Sequence, residues 1–364
     1  MLIQKKIMLP LLLLLLAGCV NKDIGTEPED SFADELAIAL EQAVDHSVLA
    51  AVEAFALEAA VLSDISEDYC GLLNESNLSV LQQQWRSLFS QWYKLSIYNF
   101  GPLNDDIVFP PYTFIDSLRL RGSNYLETVR SDIAADITGV DTLDDDYFAA
   151  KTFNKVGLLA LESAIFETST AEYSQAGADI IAEYQLQPRK CEVLRGLAAK
   201  IVERADYVQA GWLLAHKNSN NPYRTLFLNN QLDDSSKPMT QLVVAVQEFL
   251  DYLQARDVVN TAAVVSGYAW EAIAATIDEV ESLLQGQAQG SDETSSSLFD
   301  LMIASGNQNA VDSVKGSIAQ VRSAIISEDA AMLEIALGYL DGNFKREIPD
   351  SLEVELGINF SDGD

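Results

Sequence analysis

The sequence predicts an all-α protein built from two four-helix-bundle-like domains. Apolar residues recur at spacings of three and four over most of the chain, as in amphipathic helices. Alternation with a period of two, which marks half-buried strands, is rare. The connections between the apolar repeats are rich in Gly, Ser and Pro, which end helices. No strand pattern competes with the helical interpretation.

The N-terminus carries a targeting signal. Two lysines precede an apolar run over residues 7–16, which is shorter than a membrane-spanning helix requires, and Leu-Ala-Gly leads directly into Cys19. Residues 1–19 are therefore interpreted as a lipoprotein signal peptide, cleaved before Cys19 so that its thiol carries the lipid. An ordinary secretory signal with an incidental cysteine is the alternative. Residues 20–31 are polar and are expected to tether the lipid to the fold.

The N-terminal domain is predicted over residues 32–218. Its first helix is apolar nearly all round and should lie at the centre of the bundle. Trp85 and Trp92 fall on the apolar stripe of the second helix and are expected to anchor the core. The predicted helices of this domain run over residues 34–62, 77–95, 113–136, 155–166 and 189–215.

The C-terminal domain is predicted over residues 219–364. The polar segment 217–222, which ends in Asn-Asn-Pro, marks the boundary. The predicted helices of this domain run over residues 239–255, 262–285, 297–326 (with a break near Gly306) and 328–341.

The charge balance excludes some partners. The 364-residue chain has 55 acidic and 23 basic residues, a formal net charge of -32. Nucleic acid and anionic lipid surfaces would be repelled by such a field. Cations would be attracted, although a solvated acidic surface explains the same composition.

Two cysteines remain besides Cys19. Cys70 and Cys191 belong to a chain that its signal sends to an oxidising compartment, so they are predicted to form a disulfide. Two separate thiols are the alternative.

One charged residue lies within an apolar helix. The neighbours of Glu162 at three and four residues are all apolar: Leu158, Leu159, Ile165 and Phe166. Because a buried carboxylate is costly without compensation, Glu162 should be paired, protonated or bound to a cation. A hydrogen-bonded structural role and a binding role both remain open. Glu53 and Glu58 also have mainly apolar neighbours at helical spacing, which makes them candidates to face Glu162 or a groove between the domains.

Several common catalytic motifs are absent from the sequence. It has two histidines, His46 and His216, and neither belongs to a His-Glu-x-x-His motif. There is no Gly-x-Ser-x-Gly motif, no phosphate-binding glycine loop and no Cys-x-x-Cys pair. Both histidines are interpreted as structural.

Four segments resemble a known family. Residues 157–162 resemble the Gly-x-His-x-x-Glu motif of the imelysin-like family of bacterial envelope proteins, and residues 143–148 resemble the family's approach to that helix. Residues 356–364 are similar to the family's usual ending, which closes in Asp-Gly-Asp. The Phe-Gly-Pro triplet at 100–102 is similar to a further family element.

The resemblance implies a two-bundle helical fold and a site for a divalent metal, with iron the first candidate. In the family motif, His and Glu share one helix face and suit such an ion. Here Gly157 and Glu162 carry over, but Leu159 occupies the His position and cannot ligate a metal. Glu162 is therefore the single metal ligand that the resemblance implies.

Three functions follow as hypotheses. The first is a lipid-anchored envelope binding protein on the periplasmic side, expected at the outer membrane. It would be connected with iron or other metal uptake and would meet envelope metal-uptake proteins. The second is a peptidase, the name given to the family's founding member, for which no set of nucleophile, base and metal is evident. The third is a helical interaction or scaffold lipoprotein whose metal site has decayed, as Leu159 indicates.

Overall fold

The structure is a computed structural model that describes residues 31–117, 124–170, 172–232, 237–286 and 297–356. All regular elements in these ranges are helical, which confirms the all-α prediction. No helix among the described residues has the length and apolar content needed to cross a membrane. The predicted signal peptide with Cys19, almost all of the tether and the family-like ending beyond Leu356 lie outside the described residues.

The helices of the N-terminal half are α1 (Ser31–Ala43), α2 (Leu49–Gly71), α3 (Glu75–Leu95), α4 (Pro111–Ile115), α5 (Leu126–Thr138), α6 (Asp145–Ala149), α7 (Leu158–Phe166), α8 (Gly177–Leu186) and α9 (Arg189–Leu213). Those that follow are α10 (Tyr223–Leu228), α11 (Pro238–Ala255), α12 (Val258–Thr261), α13 (Ala269–Gln285), α14 (Leu298–Ala304), α15 (Gln308–Ser327), α16 (Ala330–Lys345) and α17 (Glu347–Ser351).

The first predicted helix is longer than its sequence pattern indicated. A π-helical turn over Val44–Val48 joins α1 to α2, so the chain stays helical from Ser31 to Gly71. Val44 and Val48 are completely buried, and α2 packs against α3 and α9. The central position predicted for this segment is confirmed.

Two other predicted helices are interrupted. The helix predicted over residues 113–136 is represented by α4 and α5, which are separate elements. The helix predicted over residues 262–285 begins only at Ala269, because residues 262–268 form a loop in which Ala263 and Gly267 have positive φ. The break predicted near Gly306 is confirmed, since α14 ends before it and α15 begins after it.

Aromatic side chains fill the core of the N-terminal half. Trp85 and Trp92 are completely buried, as predicted. The indole N–H of Trp92 donates to the Asp116 carboxylate at 2.9 Å, so the polar atom of this ring is satisfied inside the core. In the C-terminal half, α11, α13, α15 and α16 supply the long packed helices. Their grouping into a separate four-helix bundle stays a prediction.

The disulfide between Cys70 and Cys191 is present, which confirms the predicted pairing. It joins the end of α2 to the first turn of α9, with a Cα–Cα distance of 5.8 Å across a sequence separation of 121 residues. Closing a loop of this length removes many conformations from the unfolded chain and thereby stabilises the fold.

The two halves contact each other along α3. Helix α13 packs against α3, and α11 packs against the short turn over Ser96–Tyr98, which follows α3. Thr276 donates its hydroxyl to the Tyr93 carbonyl at 3.1 Å, and the Tyr98 hydroxyl donates to Glu279 at 2.8 Å. These contacts join residues on either side of the domain boundary predicted near residue 218. The division into domains at that residue stays a prediction.

Candidate functional site

The motif helix α7 lies entirely inside the protein. All nine of its residues are buried, and α3, α5, α8 and α9 pack around it. The indole N–H of Trp85 donates to the Leu158 carbonyl at 3.1 Å, and the Tyr184 hydroxyl donates to the Ala164 carbonyl at 2.9 Å. The Ala164 carbonyl lies in the last turn, where the helix supplies no N–H partner, so the tyrosine satisfies it. The Trp85 bond fixes the opposite end of α7.

Gly157 precedes α7 because no other residue fits there. Its φ is 88°, a conformation that L residues rarely adopt. A Cβ atom at this position would lie 2.6 Å from the Ile115 carbonyl oxygen and 2.7 Å from that of Phe114. The motif glycine therefore lets α7 begin directly against the backbone of α4, which is a structural role and not a ligand contact.

Leu159, at the position of the motif histidine, is 5% exposed and belongs to the hydrophobic core. A hydrocarbon side chain there contributes packing but offers no electron pair to a metal. Its burial shows that the position has been absorbed into the core.

Glu162 is 1% exposed, as its apolar neighbours predicted. The backbone N–H of Ser266 donates to its Oε1 at 2.7 Å, and the Ser266 side chain and the Val265 backbone also favour the charged form of the carboxyl. Ser266 lies in the loop before α13, 104 residues along the chain. The positive φ values of Ala263 (51°) and Gly267 (67°) shape this loop so that its amides turn toward the carboxylate. Glu162 thus joins the motif helix to the C-terminal half.

Burial raises the pKa of the Glu162 carboxyl from 4.5 to about 7. The hydrogen bonds from Ser266 and Val265 oppose this rise, because they favour the charged form, whereas the charge of Glu167 adds to it. The pKa of Glu162 therefore lies near neutral pH.

A second buried carboxylate, which the sequence analysis missed, follows α7. Glu167 is completely buried and forms a paired salt bridge with Arg130 of α5, with Nε–Oε1 and Nη2–Oε2 distances of 2.8 and 2.6 Å. The Ser163 hydroxyl donates to the same carboxylate at 2.6 Å. The spacing of Ser163 and Glu167 by one helical turn was the available signal, but Arg130 is distant in sequence.

Lys190 is a further buried charge that the sequence did not reveal. It is completely buried, donates to the Glu167 carbonyl at 2.9 Å and forms an ion pair with Glu183. Burial lowers the pKa of Lys190, while the charge of Glu183 acts against this change. The polar groups around α7 therefore satisfy one another.

The other two predicted carboxylates do not share the environment of Glu162. Glu53 is exposed on α2, so the expectation that it faces Glu162 is wrong. Its neighbour at helical spacing, Leu57, is itself 62% exposed, because this face of the helix is apolar without being buried. Glu58 is half-buried and accepts a hydrogen bond from Gln84 of α3 at 2.5 Å. Neither residue joins Glu162 in a binding site.

The geometry does not fit the metal that the motif implies. Among the described residues, no group of three or more His, Cys, Asp or Glu side chains is placed to hold a metal ion. The carboxylate of Glu162 is already used by backbone donors, and Leu159 supplies no ligand. No chemistry that depends on a metal is therefore derived for this helix.

The fold and the motif helix define an all-helical protein in which a buried glutamate of α7 bonds to the backbone of the loop before α13. The chain belongs to the imelysin family: the family model, described as peptidase M75, imelysin, matches residues 48–345. No curated protein matches the chain.

Two solved structures share the fold. One is an imelysin-like protein from Psychrobacter arcticum 273-4, with 15% identity, a TM-score of 0.65, and coverage of 91% of this chain and 99% of that one. The other is provisionally described as an iron-regulated protein A precursor from Parabacteroides distasonis ATCC 8503, with 13% identity, a TM-score of 0.55, and coverage of 90% and 97%. Similarity at this level of identity establishes the fold alone.

Proposed function

We propose that this protein is a lipid-anchored binding protein of the bacterial cell envelope, connected with iron uptake, in which the motif helix has become structural. The address rests on the signal pattern that ends at Cys19. The connection with iron rests on family membership and on the name of the Parabacteroides relative. The loss of the metal site rests on one observation: the carboxylate of Glu162 accepts backbone N–H groups where a metal would bind.

Binding is favoured over peptide hydrolysis. The sequence lacks a His-Glu-x-x-His motif, and the described residues contain no three-ligand group suited to a metal. The carboxyl of Glu162 is enclosed by the core and by the loop before α13, so a substrate cannot reach it without opening the interface between the halves. We therefore assign no catalytic residue.

The first experiment tests the motif helix with metal alone. Mature chain carrying Cys19→Ser would be titrated with Fe²⁺, Mn²⁺ and Zn²⁺ while unfolding is followed. Binding to the native state would add RT ln(1 + [L]/Kd), about 2.7 kcal/mol at a hundredfold excess over Kd. We expect no such gain that depends on Glu162. Metal stabilisation that Glu162→Gln abolishes would show that α7 is a working site.

A Leu159→His variant completes the family pair and serves as the matched comparison. Since Leu159 is buried one turn from Glu162, the imidazole would supply the missing ligand only by displacing core packing. We expect a measurable gain in metal binding over the natural protein, accompanied by lower stability. A revertant with no gain would show that the remaining ligands have also been lost.

The second experiment tests membrane attachment and the proposed role in iron uptake together. Cells lacking the gene would be assayed for uptake of radiolabelled iron, with the natural protein or Cys19→Ser returned on a plasmid. We expect reduced uptake that the natural protein restores, and either release of the variant from membranes or a block in its processing. Membrane attachment without any effect on iron uptake would favour the other hypothesis, a helical scaffold lipoprotein, for which the replacement of the motif histidine by Leu159 is the supporting observation.

A further inference from the structure

An open cleft of about 1140 Å³ lies outside the motif helix and its polar neighbours. Its lining comes from residues 101–112, which follow α3, from residues 216–219, which connect α9 to α10, and from α10 and the first turn of α11. The cleft therefore forms where the predicted domain boundary meets the Phe-Gly-Pro segment. A volume of this size suits a ligand of drug or short-peptide dimensions.

A buried carboxylate fixes the two loops that border the cleft. The side chain of Asp105 is 6% exposed and accepts a hydrogen bond from the Tyr207 hydroxyl at 2.6 Å. Lys217, from the opposite loop, donates to the Asp105 carbonyl and lies 3.9 Å from its carboxylate. His216 Nδ1 is 4.0 Å from the same carboxylate. These contacts hold the two loops that border the cleft together, and the carboxylate of Asp105 already has partners within the chain.

Four residues with positive φ lie in or next to this cleft. Gly101 and Lys217, both in the lining, have φ values of 57° and 49°. Asn220 and Asn230, next to lining residues, have φ values of 57° and 49°. Glycine adopts such a conformation freely and Asn tolerates it, so Lys217 is the residue for which it costs free energy and must be imposed by the surroundings.

Four side-chain amides belong to the polar part of the lining. Asn104, Asn218, Gln231 and Gln241 all contribute to it. Each amide can donate and accept hydrogen bonds, as a peptide backbone also does. The Oε1 atom of Gln241 is buried and accepts no hydrogen bond from the described residues, so it is an acceptor without a partner.

The apolar part of the lining is unusually exposed. Ile107 is fully exposed and Val108 is 70% exposed, and both belong to the cleft. Two adjacent branched aliphatic side chains in water at the edge of a polar cavity are favourable positions for a partner to cover. Burying both would favour association through the hydrophobic effect.

The chemistry favours a peptide over a saccharide. Sugars bind to exposed aromatic faces. Of the two tyrosines in the lining, Tyr112 is half-buried, and Tyr223 is 3% exposed and packs at 79° to the Trp212 ring, with a centroid distance of 4.8 Å. The face of Tyr223 is therefore committed to the core. The charges of the lining also restrict the ligand. The positive charge of Lys217 offsets the negative charge of Asp105, so the negative charge of Asp106 remains, on a chain of net charge -32. A neutral or basic segment fits this potential.

We propose that this cleft binds an extended segment of a partner polypeptide, neutral or basic, whose aliphatic side chains cover Ile107 and Val108 while its backbone bonds with the amides of the lining. The proposal is independent of any metal at α7. It assigns a partner-binding surface to the junction between the two halves, on a different part of the chain from the motif helix.

The test uses an array of random dodecapeptides probed with mature chain carrying Cys19→Ser. Bound peptides would be resynthesised and their affinities measured by fluorescence anisotropy. We expect binders enriched in aliphatic and basic residues. The double variant Ile107→Ser/Val108→Ser should weaken them at least tenfold, and Gln241→Leu should weaken them as well. Ile326→Ser is the matched control, because Ile326 is 86% exposed at the end of α15 and lies outside the cleft, so it should leave affinity unchanged.

Three results would overturn the proposal. The first is an array with no sequence-dependent binding, or binding that the control variant reduces as much as the cleft variants. The second is binding of oligosaccharides, tested on a glycan array, that the cleft variants abolish. The third is exclusive binding of a peptide with the sequence of residues 357–364, which would make the chain's own end the occupant. Circular dichroism of each variant would show that the helices remain folded.

Discussion

Replacing Glu162 by Gln should change how the stability of the protein depends on pH. The pKa of this carboxyl is about 7 in the folded protein, against 4.5 for the ordinary group. Between these two values the folded state binds more protons than the unfolded state, so stability falls as the pH rises from 4.5 to 7. A shift of about 2.5 units corresponds to about 3 kcal/mol, and this full penalty is present at pH 8.

The amide of Glu162→Gln does not titrate and therefore lacks this penalty. We expect the free energy of unfolding of the variant, relative to the natural protein, to rise by about 3 kcal/mol between pH 4.5 and pH 8. The variant also turns an NH₂ group toward backbone donors of the loop before α13. This lowers the stability of the variant by an amount that does not depend on pH, so it does not change how the difference between the two proteins varies with pH. Only the difference between the two proteins is interpreted, because other carboxylates titrate in both.

The assay is urea unfolding followed by far-ultraviolet circular dichroism at several pH values from 4.5 to 8. Glu53→Gln is the control, since Glu53 is exposed on α2 and its substitution should give a nearly constant difference. A constant difference for Glu162→Gln as well would refute the argument. It would mean that the carboxylate is ionised throughout and that its backbone donors compensate fully for burial.

Three further predictions concern stability, each measured by chemical denaturation. Gly157→Ala should cost about 2 kcal/mol or more because of its positive φ, whereas Gly316→Ala, in open space within α15, should be neutral or stabilising. Cys191→Ser removes the disulfide and should cost about 4 to 5 kcal/mol in the chain-entropy model; reduction of the natural protein should have the same effect. Arg130→Met should cost about 3 to 5 kcal/mol, because it leaves a buried carboxylate without its ion-pair partner. Arg322→Met breaks exposed ion pairs and should cost less than about 1 kcal/mol for each. Equal losses within either matched pair would contradict the reasoning.

The motif helix and the cleft differ in how far their side chains are satisfied by partners within the chain. Around α7, the buried charges of Glu162, Glu167 and Lys190 are each satisfied by partners within the chain. At the cleft, by contrast, Ile107 is fully exposed and Gln241 retains an unused acceptor. The first arrangement stabilises the fold, and the second leaves free energy to be gained by binding.

The sequence alone determined the features that depend on local pattern. Apolar spacing identified the helical class and the segments that became α2, α3, α9 and α11, because periodicity at three and four residues is a property of one helix. The apolar neighbours of Glu162 indicated its burial for the same reason. The cysteines could be paired because the chain has only two beyond Cys19.

The tertiary structure decided which faces and charges meet. Glu53 has apolar neighbours, as Glu162 has, but its helix is apolar nearly all round, so local spacing could not tell the buried face from the exposed one. The donors to Glu162 come from a loop 104 residues away that the pattern assigned to a helix. Hydrogen bonds across such distances depend on how the two halves pack, and packing sums many weak contacts that no single segment encodes. The sequence therefore predicted that Glu162 is buried, and the fold determined that a backbone loop donates hydrogen bonds to its carboxylate.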